Sequence, residues 1–155
     1  MNKPIERFSG IKNVIFGKNV KVVHPVNIYE CEIGDDSFIG PFIEIQKNVK
    51  IGNLCKIQSH SFICELVTIG NNCFIGHGVM FINDKFSQGG PARGDKRLWK
   101  CTIIGDNVSI GSNSTILPVY ICDRVVIGAG SVVTKNIERP GIYVGNPAKK
   151  LRDIL

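Results

Sequence analysis

The chain has 155 residues, a formal net charge of +6, 43% hydrophobic and 21% charged residues. That is one ordinary domain with enough apolar material for a core, so disorder and a two-domain layout are not expected. Seventeen glycines, a single Trp and six cysteines without paired C-x-x-C spacing exclude a coiled coil and a zinc-finger site, while the positive charge calls for an anionic partner: nucleic acid, membrane surface or phosphorylated metabolite.

The start, Met1-Asn2-Lys3-Pro4-Ile5-Glu6-Arg7, has no apolar segment behind its charges and does not read as a secretory signal. No apolar run approaches the roughly 20 residues of a spanning helix. The six cysteines are then expected as reduced thiols of a cytoplasmic protein rather than as a disulfide scaffold. From residue 11 a repeat sets in. Phe16, Val22 and Ile28 open it, and after a five-residue step Ile33, Ile39, Ile45, Ile51, Ile57, Ile63, Ile69 and Ile75 recur at every sixth position, with Phe81 in the ninth place. Four positions after each stands a small or branched residue: Ser37, Ile43, Val49, Cys55, Ser61, Val67, Cys73, Val79. Glycine often follows the isoleucine directly (Gly34, Gly40, Gly52, Gly70, Gly76), and turn formers such as Asp35-Asp36 and Asn71-Asn72 lie between. A period of six suits neither a helix nor a hairpin meander.

The physical reading is an all-β coil with three flat faces, one hexapeptide per face. Each isoleucine points inward, the residue four later packs near the next corner, and Gly and Asn turn the chain. A coil then takes about 18 residues and stacks on its neighbour at strand spacing, roughly 4.8 Å. Cys55 and Cys73 are expected as core thiols. The repeat resumes at Ile104, Ile110 and Ile116, steps five to Ile121, and ends with Ile127 and Val133, so it spans about residues 11–134 in six to seven coils. Between residues 83 and 101 it fails. That segment is polar, glycine-rich and basic, with Arg93, Lys96, Arg97 and Lys100 beside the only Trp, Trp99, and a solenoid carries such insertions as loops on one edge. The tail 135–155, with Pro140-Gly141 and Asn146-Pro147, is expected to cap the last coil, Leu151-Arg152-Asp153-Ile154-Leu155 as a short helix.

The hexapeptide pattern resembles that of the left-handed parallel β-helix proteins, and the left hand comes from that resemblance alone, because parallel crossovers elsewhere are right-handed. The stretches 104–118, 127–135 and 144–149, ending Val144-Gly145-Asn146-Pro147-Ala148-Lys149, resemble the acetyl-CoA-binding end of hexapeptide acyltransferases. Gly78-Val79-Met80-Phe81-Ile82-Asn83-Asp84 followed by Pro91-Ala92-Arg93 is similar to the active-site segment of bacterial nucleotide-sugar N-acetyltransferases. Phe86-Ser87-Gln88-Gly89-Gly90 lengthens the spacing from Asn-Asp to Arg93 relative to that family.

The resemblance implies transfer of acetyl from acetyl-CoA to an amino group of a UDP- or dTDP-linked sugar for surface polysaccharide (lipopolysaccharide O-antigen or capsule) synthesis. It also implies a homotrimer with sites in the clefts between prisms, where the Asn83 segment faces the cofactor end of an adjacent or the same subunit. A sugar amine is partly neutral near pH 7, so a strong base is less necessary than for a hydroxyl. Asn83 would hold the amine, and Asp84 would organise the loop or accept a proton; the pair also reads as an Asx turn opening the loop. His60 and His77, third and second after Ile57 and Ile75, are rival corner bases, and Glu65 is a further acid/base candidate. Each of the three also reads as a solvated corner residue, and His24 as surface. Arg93, with Lys96, Arg97 and Trp99, would bind the sugar nucleotide. Gly111, Ser112, Ala129 and Gly130 would carry the pantetheine arm, with Lys135, Pro147, Lys149 and Lys150 towards the coenzyme A phosphates. No metal is expected.

Three other readings compete. An O-acetyltransferase acting on a sugar or small alcohol would use a corner histidine. A zinc carbonic anhydrase of the same fold needs three converging histidines, and the three here occupy mismatched corners. A non-catalytic solenoid would have no affinity for acetyl-CoA. Nucleic acid is not favoured, since no stripe of alternating aromatic and basic residues is present.

Overall fold

The computed structural model describes residues 3–155; Met1 and Asn2, the first residues of the segment read above for a signal, lie outside the described residues. The six-residue period closes into a triangular prism, a left-handed parallel β-helix whose three faces are sheets of 7, 6 and 8 strands. The first face begins at Ile11–Lys12 and runs through Val26–Tyr29, Phe62–Ile63 and Met80–Phe81 to Val132–Val133. The second runs from Ile15–Phe16 to Tyr120–Ile121, and the third from Lys21–Val22 through Phe74–Ile75 to Gly141–Val144. Every pairing between coils is parallel and in step with the repeat: Ile57 lies over Ile39, Ile75 over Ile57, and Ile110 over Ile75.

Inward isoleucines stack into one column of core. Ile39, Ile45, Ile57, Ile63 and Ile75 have no measurable exposure, and the residues four later, from Ser37 to Val79, are buried too. Serines tolerate this interior because their hydroxyls donate to the next coil: Ser61 Oγ to the Gly76 carbonyl at 2.8 Å and Ser37 Oγ to Gly52 at 3.1 Å. Among the described residues no buried side-chain N or O lacks a partner. Cys31, Cys55, Cys64 and Cys73 are core thiols, whereas Cys101 is exposed and Cys122 half-buried, so the core-filler reading applies to four of the six.

Corners follow a single recipe. Most corners hold one residue in the left-handed conformation: Asn at six of them (among them Asn48, Asn72 and Asn113, φ from +53° to +60°), and elsewhere residues with no such preference, as at Leu66 (+72°) and His60 (+64°). The corner after the second face is stitched by a ladder of carboxamides and carboxylates. Asn53 accepts from the Asp35 N–H, Asn71 from Asn53, Asp106 from Asn71 and Asp123 from Asp106, at 2.6–2.9 Å.

Two departures fix the ends of the active region. Regular strands stop at Phe81 and restart at Thr102, and the intervening loop carries one short 3₁₀ turn at Lys96–Leu98, capped by Asp95. The Lys100 N–H donates to the Asn83 carbonyl at 2.9 Å, closing the neck of the loop so that Val67 and Thr102 still pair. The expected C-terminal helix is a correction: the chain turns back after Val144, and Lys149–Arg152 pairs antiparallel with Gly141–Val144. Five residues are too short to sustain a helix, while an extended segment satisfies the open edge of the last coil.

Candidate active site

Two edges of the prism carry the candidate residues. On the edge between the first and second faces stand Glu65, the neck of the inserted loop and, two coils further on, Lys135. On the edge between the third and first faces stand His60, His77, Ser112, Ala129 and Pro147, in successive coils.

Asn83 is where the chain leaves the coil. Its side-chain Nδ2 donates to the Glu65 carbonyl at 3.3 Å, which leaves Oδ1 as the free acceptor of the amide. Asp84 makes the Asx turn that its position allows: Oδ1 accepts from the Phe86 N–H at 2.9 Å and Oδ2 from the Ala92 N–H at 2.7 Å. Both oxygens are therefore engaged in shaping the loop. Between the loop and the first face lies a cleft of about 300 Å³, lined by Gln46, Phe62, Cys64, Phe81, Ile82, Asn83, Asp84, Phe86 and Trp99. Its walls are mainly apolar, with carboxamides at Gln46 and Asn83.

The loop cations divide in two. Arg97 forks onto Asp95, Nε to Oδ1 at 2.8 Å and Nη2 to Oδ2 at 2.7 Å, and this holds the Asp95 carboxyl below the usual carboxylate range. Lys96 Nζ sits 3.0 and 2.9 Å from the two Glu65 oxygens and 5.3 Å from the centre of the Trp99 ring. The Glu65 carboxylate holds its ammonium above the ordinary lysine range. Arg93, at φ +50°, and Lys100 are exposed and form no ion pair among the described residues. With Lys85, likewise exposed and unpaired among the described residues, they are the loop cations left for an anionic ligand.

His77 is oriented by the coils on either side. Its Nδ1 lies 2.9 Å from Ser59 Oγ, one coil below, and its backbone N–H donates to Ser112 Oγ, one coil above, at 3.2 Å. With Nδ1–H donating to Ser59, Nε2 is a free acceptor on the exposed side of the ring. His60 occupies the left-handed position of its corner and stacks on Phe42, ring centres 5.0 Å apart and planes 21° apart. Above His77, Gly111, Ser112, Ala129 and Gly130 form a small-residue lane, and the Ala129 backbone comes so near Gly111 that an added Cβ would meet its nitrogen at 2.5 Å. Pro147 continues the lane in the terminal turn. Lys149 and Lys150 lie in the antiparallel strand, Lys150 bonded to Asp153. His24 is exposed on the same edge near the first coil, and no three His, Cys, Asp or Glu side chains gather as a metal-ligand set among the described residues.

Within one chain the edges do not meet. His77 and Asn83 flank the strand Met80–Phe81 in the same coil, a face apart, a span of at most about 20 Å for six extended residues. The partners Ser59 for His77 and Lys47 and Asn48 for Glu65 were not singled out in the sequence, yet each stands 17 or 18 residues earlier, one coil below, where the repeat would have found it.

Residues 30–65 match the family described as "Bacterial transferase hexapeptide (six repeats)", and residues 66–80 and 101–135 match "Hexapeptide repeat of succinyl-transferase". The matches skip the inserted loop. The bifunctional protein GlmU of Streptococcus uberis is 32% identical over 145 residues, covering 88% of this chain and 31% of that protein. The chain thus spans about a third of the length of the curated relatives it matches. Among solved structures, a single-residue variant of AntD, an N-acyltransferase from Bacillus cereus in complex with dTDP and coenzyme A, superposes with a TM-score of 0.80 at 25% identity, covering 91% of this chain and 83% of that one. A maltose O-acetyltransferase from Clostridium difficile 630 superposes at 0.56 with 27% identity, covering 91% and 71%.

Proposed function

The chain belongs to the hexapeptide-repeat transferases, and within that family we propose that it is an acetyl-CoA-dependent N-acetyltransferase acting on the amino group of a UDP- or dTDP-linked sugar. The observation that carries this reading is the common height of its two half-sites. His77 and Asn83 flank one strand of one coil, so rotation about an axis parallel to the prism, as in a homotrimer, brings the histidine edge of one copy against the Asn83 edge of the next without a vertical shift. The acyl-CoA then lies along Gly111, Ser112, Ala129 and Gly130 with its thioester near His77. Lys135 of the adjacent copy stands at the level of Ala129, while Pro147, Lys149 and Lys150 flank the far end.

On the acceptor side, Arg93 and Lys100 meet the diphosphate and the cleft beside Trp99 takes the sugar. Asn83 Oδ1 accepts an N–H of the neutral amine and aims its lone pair at the thioester carbonyl. The C–N bond forms, the C–S bond breaks, and the amine proton reaches the coenzyme A sulfur by way of His77 Nε2. Support also comes from AntD, an N-acyltransferase whose solved complexes include dTDP-4-amino-4,6-dideoxyglucose with coenzyme A. A cytoplasmic setting and a role in surface polysaccharide synthesis complete the proposal, since that is where nucleotide sugars and acetyl-CoA meet and free thiols persist.

A second reading has its own observation. The Ser59–His77 pair is what a base for a hydroxyl acceptor needs, and the maltose O-acetyltransferase shares the fold. Thiol release from acetyl-CoA, measured against UDP- and dTDP-amino sugars and their hydroxyl counterparts, separates the two. Turnover confined to hydroxyl acceptors would refute the N-acetyl reading. Asn83→Ala should lower kcat at least tenfold, a loss of about 1.4 kcal/mol or more of transition-state stabilisation, and unchanged kinetics would remove Asn83 from the site.

A further inference from the structure

Glu65 is the one charged side chain among the buried residues described, at 5% exposure. A buried carboxylate persists only when paired and hydrogen-bonded, and the pairing here is lopsided. The coil below supplies Lys47 at 3.8 Å and Asn48 Nδ2 at 3.4 Å, whereas Lys96, from the inserted loop 31 residues on, bonds both oxygens at 2.9 and 3.0 Å. The main chain of Glu65 is tied as well. Its N–H donates to Gln46 Oε1 at 3.3 Å, and its carbonyl accepts from Asn83 Nδ2. One residue therefore touches the cleft wall, the loop and the amide at the neck of the loop. The same ammonium that Glu65 grips packs over the Trp99 ring, so the grip reaches the far wall of the cleft.

A general base needs an accessible lone pair directed at the reacting atom. Glu65 has neither: its carboxylate is enclosed and both oxygens face Lys96. We infer that Glu65 is a positioning residue, which pins the inserted loop through Lys96 so that Trp99 walls the acceptor cleft, and which fixes the Asn83 amide with Oδ1 turned outward. The inference rests on the acceptor reading of the cleft for its kinetic consequences only; the loop contact itself requires no substrate. Opening the loop would strip the buried carboxylate of its bidentate partner and leave Lys47 as its remaining cation, which is why the closed arrangement is the resting one.

The test uses Lys96→Met and Glu65→Gln in the full chain. Lys96 lies in the inserted loop with a half-exposed side chain, so its replacement removes no coil-to-coil contact but leaves the Glu65 charge to Lys47, a cost that Glu65→Gln avoids. Trp99 is the only tryptophan, so its emission reports the loop without any ligand. Both variants should shift the emission to longer wavelength and raise its acrylamide quenching about twofold. The acceptor KM should rise roughly tenfold, with kcat within about threefold and the acetyl-CoA KM unchanged, as for a lost ground-state contact. Unchanged emission and quenching in Lys96→Met would overturn the inference. So would a Glu65→Gln variant that loses kcat at constant KM together with a limb of its pH profile, the signature of an acid or base. Altered Trp99 emission in a protein inactive on every amino sugar would uphold the loop anchor while refuting the proposed activity.

Discussion

Because the histidine edge and the Asn83 edge are a face apart, the proposed site makes a quantitative demand on mixed oligomers. Take two variants, His77→Ala and Asn83→Ala, each impaired alone. Each site of the trimer draws its histidine from one copy and its asparagine from the next. If the two variants mix at random in equal amounts, a site is intact when the first copy carries Asn83→Ala and the second carries His77→Ala. Each condition has a chance of one half, so about a quarter of the sites are restored, and the mixture should reach about a quarter of the wild-type rate above the residual rates of its parents. The variants are purified apart, exchanged by co-refolding, and assayed by thiol release with the best amino-sugar acceptor from the panel. Size-exclusion chromatography before and after checks that a trimer reforms. A mixture no faster than the sum of its parents would refute the reasoning, and so would a His77→Ala variant that is fully active by itself.

Two further predictions concern the scaffold. An alanine Cβ at Gly70 would meet the Gly105 carbonyl carbon and oxygen at 2.7 Å, both backbone atoms of the next coil. Gly70→Ala should therefore lose about 1–3 kcal/mol in denaturant unfolding, whereas Gly90→Ala, in the loop with nothing within 4 Å, should stay within about 0.5 kcal/mol; equal effects would contradict the stacked corners. The thiols should react in order of exposure and acidity. Burial pushes Cys31 up to about 11 and Cys64 up to about 12, so at pH 8 their thiolate fraction falls below that of an ordinary thiol. In a thiol-reagent titration Cys101 reacts at once, Cys122 slowly and the buried four only on unfolding; a rapid count above two would disprove the burial pattern.

Most of the fold is written in the sequence because the prism makes side-chain periodicity and coil stacking the same thing. An isoleucine at 57 must lie between those at 39 and 75 once six residues fill a face, and the two five-residue steps fall at corners rather than in strands. The loop limits were legible for the same reason, since Asn83 and Lys100 sit where the period fails. The C-terminal residues were not. Leu151 and Ile154 carry no period, and their strand pairing answers the open edge of Gly141–Val144, a tertiary demand absent from local propensity. Within the site, the Ser59–His77 contact follows from the coil length, and the turn at Asp84 from Asx chemistry. The grip of Lys96 on Glu65 follows from neither. It depends on how an irregular insertion folds back, which no period describes.

The proposed distribution of the site over two edges has a physical rationale. A triangular prism filled by isoleucine is solid inside, so a ligand must be held on its outer surface, and near the candidate residues the coils alone enclose nothing. The inserted loop makes one, but its cleft of about 300 Å³ stands at the lower limit of small-molecule pockets, roughly 300–1,000 Å³. A nucleotide sugar and a coenzyme A arm together exceed it. The small-residue lane above His77 is a ridge, exposed at Ala129 and Gly130, and it becomes a groove only when another surface faces it. In the proposed trimer the opposing surface, with matching height and free cations at Lys85, Arg93 and Lys100, would be the loop edge of a second copy. The insertion would then serve two clefts at once, holding acceptor against its own first face and closing the cofactor lane of its neighbour. The anchoring of that loop by a single buried carboxylate would thereby bear on acceptor binding in both clefts.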